Sequence, residues 1–127
     1  RKQLLIGRYT GQPDWYQVNN IHPECALWGG ELAAAKLTKY LKPQNITVYI
    51  KHRHLNDFLL QNRLRKDIHG KIEILKYFWE QTDLTENKDF VHPILIYADL
   101  MATADQRNIE TAKMIYEQYI ARHIRED

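Results

Sequence analysis

Hydrophobic positions recur along this chain with two different periods, and the changes of period mark its elements. Leu4 to Tyr9 is a short apolar run closed by Gly7 and Gly11 and predicts a strand. Thr10 to Pro23 is rich in Gly, Asn and Pro and predicts a loop, with Trp15 and Tyr16 pinning it down. From Gly30 to Leu41 an alanine-rich segment puts Ala33, Ala34, Leu37 and Leu41 on one face, and Pro43 stops it, so a helix is expected there. The Gly29-Gly30 pair before it permits a close backbone approach to another element.

The β-branched run Asn45 to Lys51 predicts the clearest strand. Helical spacing returns from His54 to Arg65, with Leu55, Phe58, Leu59 and Leu64 facing inward. Lys71 to Phe78 predicts a further strand in which Ile72, Ile74 and Phe78 share a face, and Thr82 to Asp89 a polar, acidic loop. Pro93 opens a helix to Thr103 whose buried stripe is expected to be Ile94, Tyr97, Ala98 and Met101. A turn over Ala104 to Asn108 then leads, with Asp105 as N-cap, into a last helix to about His123, its stripe Ile109, Ala112, Tyr116, Tyr119 and His123. The expected fold is α/β (α+β): a small mixed sheet of about three to five strands, covered by helices and ending in a C-terminal helical hairpin, without a doubly wound topology.

Composition narrows the class. The 127 residues suit a single domain, and 44% apolar with 27% charged residues is globular composition. The lone Cys25 cannot form an internal disulfide, which favours a reducing, cytoplasmic setting, and Cys25 reads as a small apolar residue near a helix start. No apolar run approaches the ~18–20 residues that cross a bilayer. Residue 1 is Arg and not Met, so the chain is expected to be a fragment of a longer protein.

Net charge is +2, but its distribution is uneven. Lys51, Arg53, Arg63, Arg65, Lys66 and Lys71 stand against only Asp57 and Asp67, whereas Glu80 to Asp89 holds four acids against Lys88. The basic stretch is therefore the candidate contact for a partner or for DNA, with a solvated helix face as the alternative.

Catalytic chemistry finds little purchase. Neither glycine-rich phosphate loop occurs, and serine is absent from the whole chain, which removes serine hydrolases. His22, His52, His54, His69, His92 and His123 form no zinc pattern; His52 and His54, two apart at a strand end, come nearest. No cofactor, metal or catalytic residue is assigned. A divalent-metal nuclease is the alternative, with Glu31, Glu73 and Lys76 as its parts. Its Glu-x-Lys is not met, since two residues and not one separate Glu73 from Lys76, which puts them on opposite strand faces, and Asn45 to Lys51 holds no acid. Asp99, Asp105 and Arg107 read as caps and ion pairs before general acids or bases. Convergence of Glu31, Glu73 and Asp99 on one open cleft around a cation would reverse that preference.

Two segments together carry a family resemblance. One is Trp28-Gly29-Gly30-Glu31-Leu32-Ala33-Ala34 with Leu37 to Pro43 and Thr47-Val48-Tyr49; the other is His92 to Thr103 with Asp105-Gln106-Arg107-Asn108-Ile109-Glu110-Thr111-Ala112. Within them Trp28, Gly29, Gly30, Glu31, Tyr97, Asp99, Asp105, Arg107 and Asn108 are the signature positions. Over roughly residues 25–50 and 91–120 the chain resembles the C-terminal domain of the AbiE-type antitoxins, predicted transcriptional regulators of bacterial type IV toxin–antitoxin and phage-defence systems. The family places Gly before the Asp of the turn, where this chain has Ala104. The resemblance implies an N-terminal winged-helix DNA-binding domain outside this chain, autorepression at an operator, and a nucleotidyltransferase-like toxin as partner. For this segment it implies the antitoxicity, dimerisation or auxiliary DNA-contact share, with no enzyme activity. Tyr97, Asp99, Arg107 and Asn108 are then expected to tie the helical hairpin together.

Overall fold

A computed structural model describes residues 5–13, 15–18, 26–39, 42–77 and 91–121. Its centre is a five-stranded mixed sheet formed by β1 (Leu5–Thr10), β2 (Ala26–Gly29), β3 (Ile46–Ile50), β4 (Arg65–Lys66) and β5 (Ile72–Lys76), in the order β2-β3-β5-β1-β4. Only β3 and β5 run parallel; the other neighbours are antiparallel. The helices are α1 (Trp15–Val18), α2 (Gly30–Thr38), α3 (Leu55–Gln61) behind a 3-10 turn at His52–His54, α4 (Pro93–Ala102) and α5 (Gln106–Ile115), which continues as a π turn over Tyr116–Ile120. The α+β class, the mixed sheet and the closing helical hairpin agree with expectation.

The two faces of the sheet follow from the register. Leu27 opposes Tyr49, Gly29 opposes Thr47, Thr47 opposes Glu73, and Glu73 opposes Arg8, so these side-chain positions share one face. Bonds from that face to α4, and from α2 to α5, place these three helices over it. The other face holds Tyr9, Trp28, Ile46, Val48, Ile72 and Ile74, all buried. There the Trp15 ring lies 5.8 Å from Trp28 and 5.9 Å from Phe58, edge-on to the latter, so α1 and α3 close it with aromatic contacts. Trp15 thus pins the loop as expected, although a short helix stands where a plain loop was read. One continuous apolar cluster joins both sides.

Several expectations need correction. Strands β2 and β4 were not anticipated. β2 is four residues running straight into α2, and β4 is two exposed cations, so neither carries a period long enough to read. Helix α2 ends at Thr38, well before Pro43; Lys39 adopts φ 58° and its N–H donates to the Ala35 carbonyl at 2.8 Å, a left-handed stop. In α4 the buried residues are Ile96, Asp99 and Leu100, while Ile94, Ala98 and Met101 are exposed and Tyr97 is half-buried. The stripe of α5 is likewise turned, to Asn108, Thr111, Ala112 and Ile115, and Tyr116 stands in solvent. Cys25, Leu41, Phe78, the acidic run from Glu80, His22 and His123 lie outside the described residues.

The turn between α4 and α5 accounts for the family's glycine. Ala104 sits at φ 55°, just after the Thr103 C-cap, where an L side chain crowds its own carbonyl. Ala104→Gly is therefore expected to raise unfolding free energy by about 0.5–1 kcal/mol, the strain relieved minus the extra freedom of the unfolded glycine. Chemical denaturation measures this, and a loss of stability would mean that the left-handed turn is not strained.

Candidate functional site: a polar interior and a basic corner

Most of the signature residues build one interior polar system. Gly29 and Gly30 let β2 turn directly into α2 against β3: a Cβ on Gly29 would lie 2.6 Å from the Tyr49 ring, and one on Gly30 2.5 Å from Thr47 Oγ1. That close passage delivers Glu31 into the space between α2 and α5. There Glu31 Oε1 accepts from Arg107 Nη2 at 3.1 Å and from the Gln44 backbone N–H at 3.0 Å, while Oε2 accepts from Asn45 Nδ2 at 3.1 Å. Arg107 also donates to the Lys42 carbonyl at 3.0 Å. The guanidinium fork thereby fastens α5 to α2 and to the segment leading into β3.

Asp99 is the sole charged residue of α4, and it faces inward. Its two carboxylate oxygens accept from the Tyr49 hydroxyl at 2.8 and 3.1 Å. Asp105 caps α5 by accepting from the Arg107 N–H at 2.8 Å, and Asn108 Nδ2 donates to Thr103 Oγ1 at 3.1 Å. Of the residues expected to tie the hairpin, Asn108 bonds across its turn, whereas Asp99 ties α4 to β3 and Arg107 ties α5 to α2 and the 42–45 segment. Tyr97 packs by its ring, 5.8 Å from Tyr116, and Trp28 packs against Trp15 with Lys36 Nζ 5.5 Å above it.

Glu31, Glu73 and Asp99 do line one cavity of about 250 Å³, together with Arg8, Gly30, Asn45, Thr47 and the C-terminal turn of α4. All three carboxylates are more than nine-tenths buried. Each, however, is bonded to its own set: Glu31 as above, Glu73 to Arg8 Nη2 at 3.3 Å and Thr47 Oγ1 at 3.4 Å, Asp99 to Tyr49. Thr47, Glu73 and Arg8 form a single row across three strands, so cross-strand pairing explains their approach. Among the described residues no group of three His, Cys, Asp or Glu is placed to hold a metal ion. Lys76, the third member of the nuclease set, is exposed and alternates away from Glu73.

Arg8, Asn45 and Tyr49 were not singled out from sequence as members of this system. The one signal for Arg8 was a cation inside an apolar strand; for Tyr49, its sharing of strand parity with Thr47.

The basic stretch does not form one surface. β3 and β5 begin at the same end of the sheet, Ile46 opposite Ile72, and the Ile46 N–H donates to the Lys71 carbonyl. Lys71 therefore lies at the start of β3, and Lys51 and Arg53 beyond its end, roughly 17 Å of strand away. Arg65 and Lys66 pair with Thr10 and Tyr9, and Tyr9 opposes Ile72, so β4 belongs to the Lys71 end. Arg63, at φ 55°, brackets buried Leu64 with Arg65. The outcome is a basic corner at one end of the sheet, Arg63, Arg65, Lys66 and Lys71, all exposed, with Arg65 and Lys66 turned to opposite faces of β4, and a separate pair in which Lys51 sits 5.2 Å over the Tyr77 ring and Arg53 bonds His54. Among the described residues none of the four corner cations is paired with a carboxylate.

An α+β domain whose conspicuous polar residues are spent on internal cohesion, with unmatched charge on its outside, has the make-up of a binding module. Residues 1–121 match the family described as "Transcriptional regulator, AbiEi antitoxin, Type IV TA system", and the chain belongs to that family. No curated protein and no solved structure matches the chain. Its class is thus a regulatory antitoxin, and among the described residues no helix is long and apolar enough to cross a membrane.

Proposed function

We propose that this chain is a non-catalytic module of an antitoxin-type regulator that applies its basic corner to DNA beside the operator. The observation that carries the reading is the exposure of Arg63, Arg65, Lys66 and Lys71 at one end of the sheet, without carboxylate partners among the described residues. Such a corner contacts phosphates and adds affinity without reading bases, leaving sequence choice to a winged-helix domain in the full-length protein. The family match supports the regulatory class.

Reversing Arg63, Arg65 and Lys66 together to Glu is expected to weaken binding of operator DNA by about 100-fold or more and to flatten the slope of log K against log salt by about 3. Titrations at two salt concentrations measure this. Reversing Lys51 and Arg53, at the far end of the sheet, should cost much less. Equal effects from the two sets, or none from the first, would remove the corner from the mechanism.

The protein partner in this reading is a nucleotidyltransferase-like toxin. Leu60 and Ile68, about 80% exposed beside the same cations, offer it apolar contact. Failure of the chain to co-elute with the operon-encoded toxin would count against direct neutralisation and leave the DNA contact in place. Self-association is the third part of the reading.

A metal-dependent nuclease is the second reading; it rests on the approach of Glu31, Glu73 and Asp99 to one cavity, against which stands the separate bonding of each carboxylate. Plasmid cleavage with magnesium or manganese that Glu31→Gln abolishes would establish it. Intact plasmid after prolonged incubation with either ion would dismiss it.

A further inference from the structure

Helix α4 is built inside out. Its sequence Pro-Ile-Leu-Ile-Tyr-Ala-Asp-Leu-Met-Ala contains one charged residue, and that residue is buried. Ile94, Tyr97, Ala98 and Met101, spaced at i, i+3, i+4 and i+7, form an outward stripe in which Ile94 is 55% and Met101 40% exposed. A helix that faces water ordinarily puts charges there, and one that is apolar all round is a covered helix. The stripe continues onto the next helix through Tyr97, whose ring lies 5.8 Å from that of Tyr116, itself 40% exposed. Between them is a cavity of about 170 Å³ lined by Tyr97, Lys113, Tyr116 and Glu117.

We infer that a second copy of this chain covers the stripe, in a two-fold, antiparallel contact centred on the Tyr97–Tyr116 cavity. The charges at the rim identify the occupant. Lys113 and Glu117 line the cavity from one face of the same helix, one turn apart along its axis, and both are exposed. A two-fold axis through that point sets Lys113 of each copy against Glu117 of the other, so the rim is complementary to itself. A partner of one charge sign would match only half of it.

The size of the face sets the strength. The fifteen residues from Gln106 to Ile120 span about 22 Å, and two helices side by side are about 20 Å wide, which gives on the order of 450 Å² per copy. A stable interface commonly buries about 800 Å² per partner. The dimer is therefore weak and concentration-dependent in free solution, and effective when two copies are held on neighbouring sites of one DNA.

This deepens the self-association part of the proposed function and leaves the basic corner untouched. A chain that stays monomeric yet binds DNA would refute the dimer and spare the corner. The test is sedimentation equilibrium of the whole chain over a wide concentration range, beside thermal melts. The wild type is expected to show a monomer–dimer equilibrium. Ile94→Glu with Met101→Glu should weaken it about 100-fold or more at an unchanged monomer melting temperature. Lys113→Glu alone should weaken it about tenfold, and Lys113→Glu combined with Glu117→Lys should restore it, since the swap regenerates both cross-copy pairs. These two surface variants keep the test decisive if the apolar double variant fails to fold. A monomer at every concentration, a dimer indifferent to the stripe variants, or a charge swap without rescue would each overturn the inference. So would a monomer destabilised by the stripe variants, because the cover would then be part of the same chain.

Discussion

Replacing Arg107 with alanine is expected to lower unfolding free energy by about 3 kcal/mol, because it leaves the Glu31 carboxylate in the interior without its cation. Glu31 is 6% exposed at its side chain and Arg107 33%, so the pair is only partly screened, and the value sits at the lower end of the range for buried pairs. For a domain of this size the melting temperature should fall by roughly 10–15 °C. Two further variants separate the pair from simple loss of packing. Arg107→Lys keeps the charge but cannot donate to Glu31 and to the Lys42 carbonyl in fork geometry, and should recover only part of the loss. In the double-mutant cycle with Glu31→Gln, the two changes together should cost less than their sum by about 1–3 kcal/mol. Strictly additive losses would show that Arg107 acts through its contacts with the 42–45 segment and not through Glu31.

Gly30→Ala is expected to cost about as much, for a different reason. At φ 52° an alanine pays about 1–2 kcal/mol for left-handed backbone. Its methyl would also lie 2.5 Å from Thr47 Oγ1 and 2.9 Å from Thr47 Cβ, and forcing an atom into a packed interior costs about 1–3 kcal/mol more. The total of about 3 kcal/mol can be read by urea denaturation. In a Thr47→Ala background the Oγ1 and Cγ2 contacts vanish, so part of the steric share should return while the backbone share persists. A Gly30→Ala variant of unchanged stability would mean that β2 and α2 do not meet at this angle.

Both predictions concern residues that the sequence presented as a signature, and the structure makes that signature a description of how the scaffold is fastened. Gly30 sets the angle of α2, the angle carries Glu31 inward, and Arg107 meets it from α5. Three buried carboxylates around one cavity are, in this light, the inner ends of three separate fastenings. The exterior carries the two surfaces proposed above for contact: a basic corner at one end of the sheet, and an apolar stripe on the hairpin.

Local pattern by itself determined the existence of β1, β3, β5 and the longer helices, because each carries a period long enough to distinguish two residues from 3.6. It also determined the cap at Asp105 and the close passage at Gly29-Gly30, where backbone chemistry is confined to a few neighbouring residues. Tertiary structure alone decided which way α4 faces. A helix with one charge in ten residues has no polar side to exclude from the core, so periodicity allowed Ile94, Tyr97, Ala98 and Met101 to be drawn as its interior. Tyr49, fifty residues away, bonds Asp99 and turns that stripe outward. The same holds for the basic stretch. Its six cations are neighbours along the chain, but the parallel pairing of β3 with β5 forces the connection to run once back along the length of the sheet, and divides them between its two ends.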